Sequence, residues 1–352
     1  MSASLAISLD AMGGDNAPEM VIRGADIARE RFPDAHFLFF GDEARLKPMI
    51  DRLPGLSAVS TIRHAETEVK MEDKPSQALR AGRKSSMRLA IDAVHNGEAA
   101  AIVSAGNTGA LMAMAKTVLR TLPGIDRPAI ASFFPTIRSE SVMLDLGANV
   151  QCDATNLVQF AVMGSVFART VLGVREPSIG LLNVGTEEVK GHEEVRGAAQ
   201  ILRAAPHLPG TFHGFVEGSD LARGTVDVFV TDGFTGNVAL KTIEGTVRLY
   251  AQFLRHSFKS SWMAGIGYLM ARPALNALRA RLDPRRYNGA IFMGLNGICV
   301  KSHGGTDAFG FANAIGVAVD MVANGAIPKM QQEFEQMMAT LDASQSAASL
   351  QG

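Results

Sequence analysis

The chain has 352 residues, 47% of them hydrophobic, and a formal net charge of -1. That length allows one large α/β domain or two lobes sharing a sheet, and the near-zero charge offers no global argument for nucleic acid or for an acidic partner. Cys152 and Cys299 have no metal-ligand spacing and suit a reducing cytoplasm, so neither a metal nor a disulfide framework is expected.

Leu5 to Leu9 form a short apolar run that predicts a strand, with Asp10 at its carboxyl end, where open α/β sheets bind ligands. Gly13 and Gly14 permit positive φ, and Asn16 can cap a helix whose first turn accepts Pro18 and Glu19. Asp10, Gly13, Gly14 and Asn16 thus read as one wall of a crevice. No basic segment followed by an apolar run occurs here, so no signal peptide is expected. Further apolar runs at His36 to Phe40, Ala99 to Val103, Ser141 to Leu146, Ser178 to Leu182 and Val226 to Val230 alternate with helix-period segments. They predict a three-layer α/β fold, a mainly parallel sheet with helices on both faces. Residues 1–341 read as one large catalytic domain, possibly two lobes sharing the sheet. Ile327 to Leu341 can form a helix, and 342–352 is a small, polar tail expected to fray.

One device occurs twice. Gly106-Asn107-Thr108-Gly109 and Gly233-Phe234-Thr235-Gly236 each follow a strand and open a helix. Such a turn aims backbone N–H groups and a threonine hydroxyl at the positive end of a helix dipole, a cradle for phosphate. Neither turn has the Gly-Lys-Ser/Thr ending of a nucleotide P-loop or the three-glycine dinucleotide fingerprint, so no nucleotide cofactor is expected. Gly106, Asn107, Thr108 and Gly109 are the first choice for the cradle, with Gly233, Thr235, Gly236 and Asn237 opposite. The loop Asn183 to Gly191 adds an amide, a hydroxyl and Lys190 without an aromatic to stack a base. Lys301 and His303 sit together between apolar segments, where a transferred group could be polarised.

Between Arg248 and Arg286 eight Lys and Arg face one acid, Asp283, a local charge of +7. Two helical patterns, with Val247, Tyr250, Leu254 and Phe258 on one and Leu275, Leu278 and Leu282 on the other, flank Trp262 to Met270. We read 246–286 as a protruding basic helical hairpin with an apolar tip at Trp262, Met263, Ile266 and Leu269. Such a tip can enter the membrane interface while Arg255, Lys259 and Arg272 meet anionic headgroups. The same surface could pack against a second subunit or meet an acidic partner. The longest nearly pure apolar stretch, Trp262 to Ala271, falls short of the roughly 20 residues of a spanning helix.

The segments DAMGGDNAP, SAGNTGALM, DLGANVQCD, LLNVGTEEVKG, VTDGFTGNVALK, RRYNGAIFMGLNG and VKSHGGTDAF resemble, in order and over nearly the whole chain, the bacterial phosphate acyltransferase family. The resemblance implies an isopropylmalate/isocitrate dehydrogenase-like fold. It implies transfer of a fatty acyl group from acyl carrier protein to inorganic phosphate, giving acyl phosphate for phospholipid synthesis. It further implies a cytoplasmic homodimer associated peripherally with the inner face of the cell membrane, where a membrane glycerol-3-phosphate acyltransferase would consume the product. Phosphate is a competent nucleophile once aimed, so no acyl-enzyme is required. Lys190, Lys301, Asn183 and His303 become the catalytic candidates, with Lys84, Arg127 and Lys241 in reserve and Cys152 a separate candidate for thioester exchange. A phosphotransacetylase acting on acyl-CoA, a dehydrogenase of the same broad fold and a non-catalytic membrane scaffold are the other readings.

Overall fold

The structure is a computed structural model that describes residues 5–205 and 208–336. The expected tail at 342–352, and the last five residues of the helix expected at 327–341, lie outside the described residues. Eleven strands form one sheet: β1 (Leu5–Asp10), β2 (Ala35–Gly41), β3 (Ser60–His64), β4 (Ala101–Ser104), β5 (Ala129–Pro135), β6 (Glu140–Leu144), β7 (Ser178–Leu182), β8 (Thr211–Val216), β9 (Val228–Val230), β10 (Ala290–Met293) and β11 (Ile298–Lys301). Their order across the sheet is β3-β2-β1-β4-β11-β10-β5-β6-β9-β7-β8. Seven of the ten neighbouring pairs are parallel. The three antiparallel pairs, β10 with β11, β10 with β5 and β5 with β6, adjoin at the centre.

The helices are α1 (Glu19–Arg31), α2 (Glu43–Ile50), α3 (Pro54–Ser57), α4 (Pro75–Ala81), α5 (Ser86–His95), α6 (Thr108–Leu119), α7 (Ala154–Val171), α8 (Glu193–Ala204), α9 (Gly218–Arg223), α10 (Gly233–Phe258), α11 (Trp262–Arg281) and α12 (Ala308–Ala323). Successive strand side chains point to opposite faces, and the core divides accordingly. Ile7, Leu9, Phe37, Phe39 and Val103 pack with buried residues of α1, α7, α8 and α12. Leu38, Phe40, Ile102, Phe229 and Cys299 pack with α5 and α6 on the other face. Side-chain caps start four of the helices that follow strands: Asn107 for α6, Asp153 for α7, Asp232 for α10 and Asp307 for α12 each accept from a first-turn N–H.

The central antiparallel pairs reverse the sheet. β1 to β5 and β11 run one way; β6 to β10 run the other. The carboxyl ends of β1, β4 and β11 therefore open on one edge, which we call the upper, and those of β6, β7 and β9 on the lower.

α10 and α11 carry the apolar stretch differently from the sequence expectation. Trp262 to Met270 is the first half of α11, not a tip between helices, and the turn falls at Lys259 to Ser261. Trp262 is 76% exposed, Met263 66%, Ile266 51%, Leu269 65% and Met270 80%, at spacings that place them on one helix face. α11 buries none of its residues, and Phe258 meets Tyr268 edge-on with ring centroids 5.4 Å apart. Among the described residues no single helix is long and apolar enough to cross a membrane. α12 and Ala326–Gln336 pass together by length and composition but are bent by 56°, and α12 is built into the core.

The burial contrast has a measurable consequence. Phe160→Ala, which empties a fully buried site on α7, is expected to cost about 3–5 kcal/mol in chemical denaturation. Trp262→Ser is expected to stay within about 0.5 kcal/mol.

Candidate active site

Three neighbouring strands end together on the upper edge. Leu9 pairs with Val103 and Ser104 with Lys301, so Asp10, Ser104 and Lys301 lie side by side although 291 positions separate the first from the last. Asp10 is buried. Its Oδ1 accepts from Ser86 Oγ at 2.6 Å and its Oδ2 from Ser104 Oγ at 2.7 Å. The Ser104 oxygen in turn accepts from the Gly106 N–H at 3.0 Å. Burial pushes the Asp10 carboxyl above its ordinary value, against the pull of both hydroxyls, the Met12 N–H and Lys301.

The glycine pair lets a second loop close over this carboxylate. A Cβ on Gly13 would lie 2.8 Å from the Gly106 nitrogen, and Gly14 has φ +107°. Asp15 N–H donates to the Gly304 carbonyl at 3.0 Å, and Asn16 Nδ2 to the Thr306 carbonyl at 3.3 Å. Thus the loops after β1, β4 and β11 meet on the upper edge.

Lys301 is only 8% exposed. Its Nζ donates to the Ala105 carbonyl at 3.3 Å and to the Ser302 carbonyl. Burial pulls its pKa down to about 8, with Asp10 and Asp15 pulling the other way. His303 is also held below its ordinary value, by burial, by Lys301 and by Lys241 of α10, while Glu244 acts in the opposite sense. Asn288 holds this segment: its Nδ2 donates to Ser302 Oγ and the Gly310 carbonyl, each at 2.8 Å, and its Oδ1 accepts from the His303 N–H at 2.9 Å. Ser104 and Asn288 lie within the segments SAGNTGALM and RRYNGAIFMGLNG, and Ser86 in none of them; nothing in the sequence marks the roles of the three.

In the Gly106 turn the asparagine side chain is fully occupied. Its Oδ1 caps α6 through Ala110 N–H, and its Nδ2 donates to the Met71 and Asp73 carbonyls at 2.8 and 2.9 Å. It shapes the turn and has no donor left for a ligand. Gly109 lets α4 approach, since a Cβ there would stand 2.6 Å from Pro75 Cγ. The exposed Thr108 hydroxyl and the Thr108 and Gly109 N–H groups at the start of α6 are what the turn offers an anion.

The second turn is not opposite the first within one chain. β9 runs against β4, so Gly233, Thr235, Gly236 and Asn237 open on the lower edge, with Asn183 and Lys190 after β7. There Thr235 spends its hydroxyl proton on Asp232 at 2.7 Å. Lys190 pairs with Glu187 at 2.7 Å, both about half exposed, and Asn183 Nδ2 donates to the Lys190 carbonyl at 3.1 Å. Lys84 pairs with Glu66 and Lys241 with Glu244.

The lower edge repeats the buried-carboxylate arrangement. Asp145 accepts from the N–H groups of Ile130, Gly147, Ala148 and Asn149 and from Asn149 Nδ2. A Cβ on Gly233 would lie 2.9 Å from Asp145 Oδ2, as one on Gly106 would lie 3.2 Å from Asp10 Oδ2. The nearby Cys152 thiol is pushed up to about 12 by burial and by the charges of Asp145 and Asp232. That burial and those charges oppose the thiolate an exchange role would need. Among the described residues no group of three His, Cys, Asp or Glu is placed to hold a metal ion.

Lys301 ties stability to pH. Its folded pKa lies below its unfolded value, so between about 10.4 and 8 the unfolded chain binds the proton that the folded chain excludes. Stability relative to Lys301→Met is therefore expected to fall as pH drops from 10 to 8. Denaturation of both proteins across that range checks the sign.

The family model described as "Fatty acid synthesis protein" matches residues 5–329. A phosphate acyltransferase of Rhodospirillum centenum is 66% identical over 97% of this chain and 96% of its own. One from Paramagnetospirillum magneticum is 62% identical over 99% of each. A phosphotransacetylase from Streptococcus pyogenes superposes with a TM-score of 0.63 at 17% identity, covering 92% of this chain and 95% of its own. A 4-hydroxythreonine-4-phosphate dehydrogenase from Klebsiella pneumoniae does so with 0.53 at 16%, covering 92% and 98%. These two share the fold.

Proposed function

The chain belongs to the phosphate acyltransferase family and is an acyltransferase, and from that premise we propose that it moves a fatty acyl group from acyl carrier protein to inorganic phosphate at the upper edge. The observation that carries this reading is the α6 N-terminus beside buried Lys301, two positive elements on one wall. A phosphate dianion binds the Thr108 and Gly109 N–H groups and the Thr108 hydroxyl. Its oxygen attacks the thioester carbonyl carbon, the C–S bond breaks, and the leaving sulfur takes the phosphate proton. The products are acyl phosphate and free carrier thiol.

Charge on the carbonyl oxygen is met by fixed dipoles and by protonated Lys301, which need no reorganisation. Ser86 and Ser104 are buried and bonded to Asp10, and the surroundings of Cys152 oppose its thiolate, so direct attack is favoured over an acyl-enzyme. The expected assay outcome is thiol release that requires phosphate and yields hydroxamate with hydroxylamine. Cys152→Ser should retain that activity, and Lys301→Met should lose at least ~100-fold in kcat/KM. Activity should decline as pH rises through about 8, where Lys301 loses its proton. Phosphate-independent release would overturn the reading.

A cytoplasmic enzyme resting on the inner membrane face fits the exposed α11 face and its basic neighbours. Leu249, Tyr250 and Phe253 of α10, also exposed, are where a second copy would pack to form the homodimer. Delivery of a lipophilic acyl phosphate to a membrane glycerol-3-phosphate acyltransferase follows from that location. Replacing Trp262, Ile266 and Leu269 together by Ser should release the protein from anionic vesicles in a flotation assay and spare soluble activity. Unchanged flotation would make α11 a packing element.

A further inference from the structure

A cavity of roughly 990 Å³ lies outside the machinery described above, yet both of its walls continue the segments that hold Lys301 and His303. Arg286 and Tyr287 on one wall immediately precede Asn288, which bonds Ser302 and His303. Phe309 on the other lies in the first turn of α12, whose cap Asp307 follows the 302–306 loop.

Three guanidinium groups line the cavity, and two are already fixed. Arg31, from the end of α1, stacks over Phe309 at 5.3 Å and donates to Asn313 Oδ1 at 2.6 Å. Arg281, from the end of α11, donates to the Thr136 and Ile137 carbonyls at 3.2 and 3.3 Å. Tyr287 Oη donates to the Arg281 carbonyl at 2.9 Å. Arg286 is exposed at the rim. The one acid in the lining is Glu140, which is partly buried.

Guanidinium groups held in place by stacking and hydrogen bonds lose little freedom when they meet carboxylates. Arg, Tyr and Phe are also the residues that anchor protein interfaces. We propose that this cavity docks the carrier protein, receiving an acidic helix on Arg31, Arg281 and Arg286 so that its thioester arm reaches the upper edge along the 302–309 segment. This rests on the carrier-dependent acyl transfer proposed above. Charge complementarity selects the occupant: a basic, aromatic-floored cleft beside the site, at the root of a segment carrying +7.

The test uses the full-length enzyme with Arg31→Glu, Arg286→Glu and the pair. The Kd for fluorescently labelled holo-carrier and the KM for long-chain acyl-carrier should each rise about ten-fold or more per substitution and lose part of their salt dependence. The KM for phosphate, and turnover of carrier-free acyl-CoA if wild type accepts it, should not move. Unchanged carrier binding in the paired variant, or an equal rise in the KM for phosphate, overturns the docking surface. If wild type shows no phosphate-dependent turnover with any acyl donor, the acyltransfer reading fails instead, and the holo-carrier Kd alone then decides the surface.

Discussion

The upper edge is organised around one buried carboxylate. Asp10 takes the hydroxyl protons of Ser86 and Ser104, and Ser104 relays that order to the Gly106 N–H. Burial without these donors would cost several kcal/mol. With them, the carboxylate defines where three loops meet. The glycines follow from this, because a Cβ on Gly13 would lie 2.4 Å from Asp10 Oδ2 and displace it, and one on Gly106 would press on both Asp10 and Met87. Lys301 belongs to the same unit, a cation kept out of water beside that acid. Asp145 organises the lower edge by the same means with backbone N–H donors in place of hydroxyls.

The reversal at β10, β5 and β6 decides what these two units can do within one chain. A uniformly parallel sheet would set the Gly106 and Gly233 turns along a single edge. Instead, α10 starts on the lower edge and reaches the upper one only with its middle, where Lys241 and Glu244 act on His303. The long helix thereby links the lower turn to the upper site and continues as the exposed surface that α11 shares. A single length of chain serves as cap, site wall and outward-facing surface.

Local chemistry made much of this readable from the residues. Six short apolar runs were expected as strands, and each overlaps one, because fully buried parallel strands need continuous apolar side chains. The Gly-x-Thr-Gly turns were recognisable because a helix start needs a capping side chain and the glycines allow close approach. The motif segments carried the family in the same way. β10 and β11 were seen only as apolar segments, since four residues between glycine turns carry no direction.

Composition and spacing alone were thus enough for the layered α/β class, the strand-end loops and the basic segment, since each depends on neighbours a few residues apart. Which loops share an edge was settled by long-range pairing: Ser104 with Lys301, and the antiparallel register of β10 and β5. The fate of individual side chains was settled there too. Asn107 is an anchor because the 71–73 carbonyls come to it, the Cys152 thiol is pushed up by burial and by the charges of Asp145 and Asp232, and Asn288 matters because Ser302 and His303 fold against it. Burial and charge act through space, and a linear chain records only the groups that will feel them.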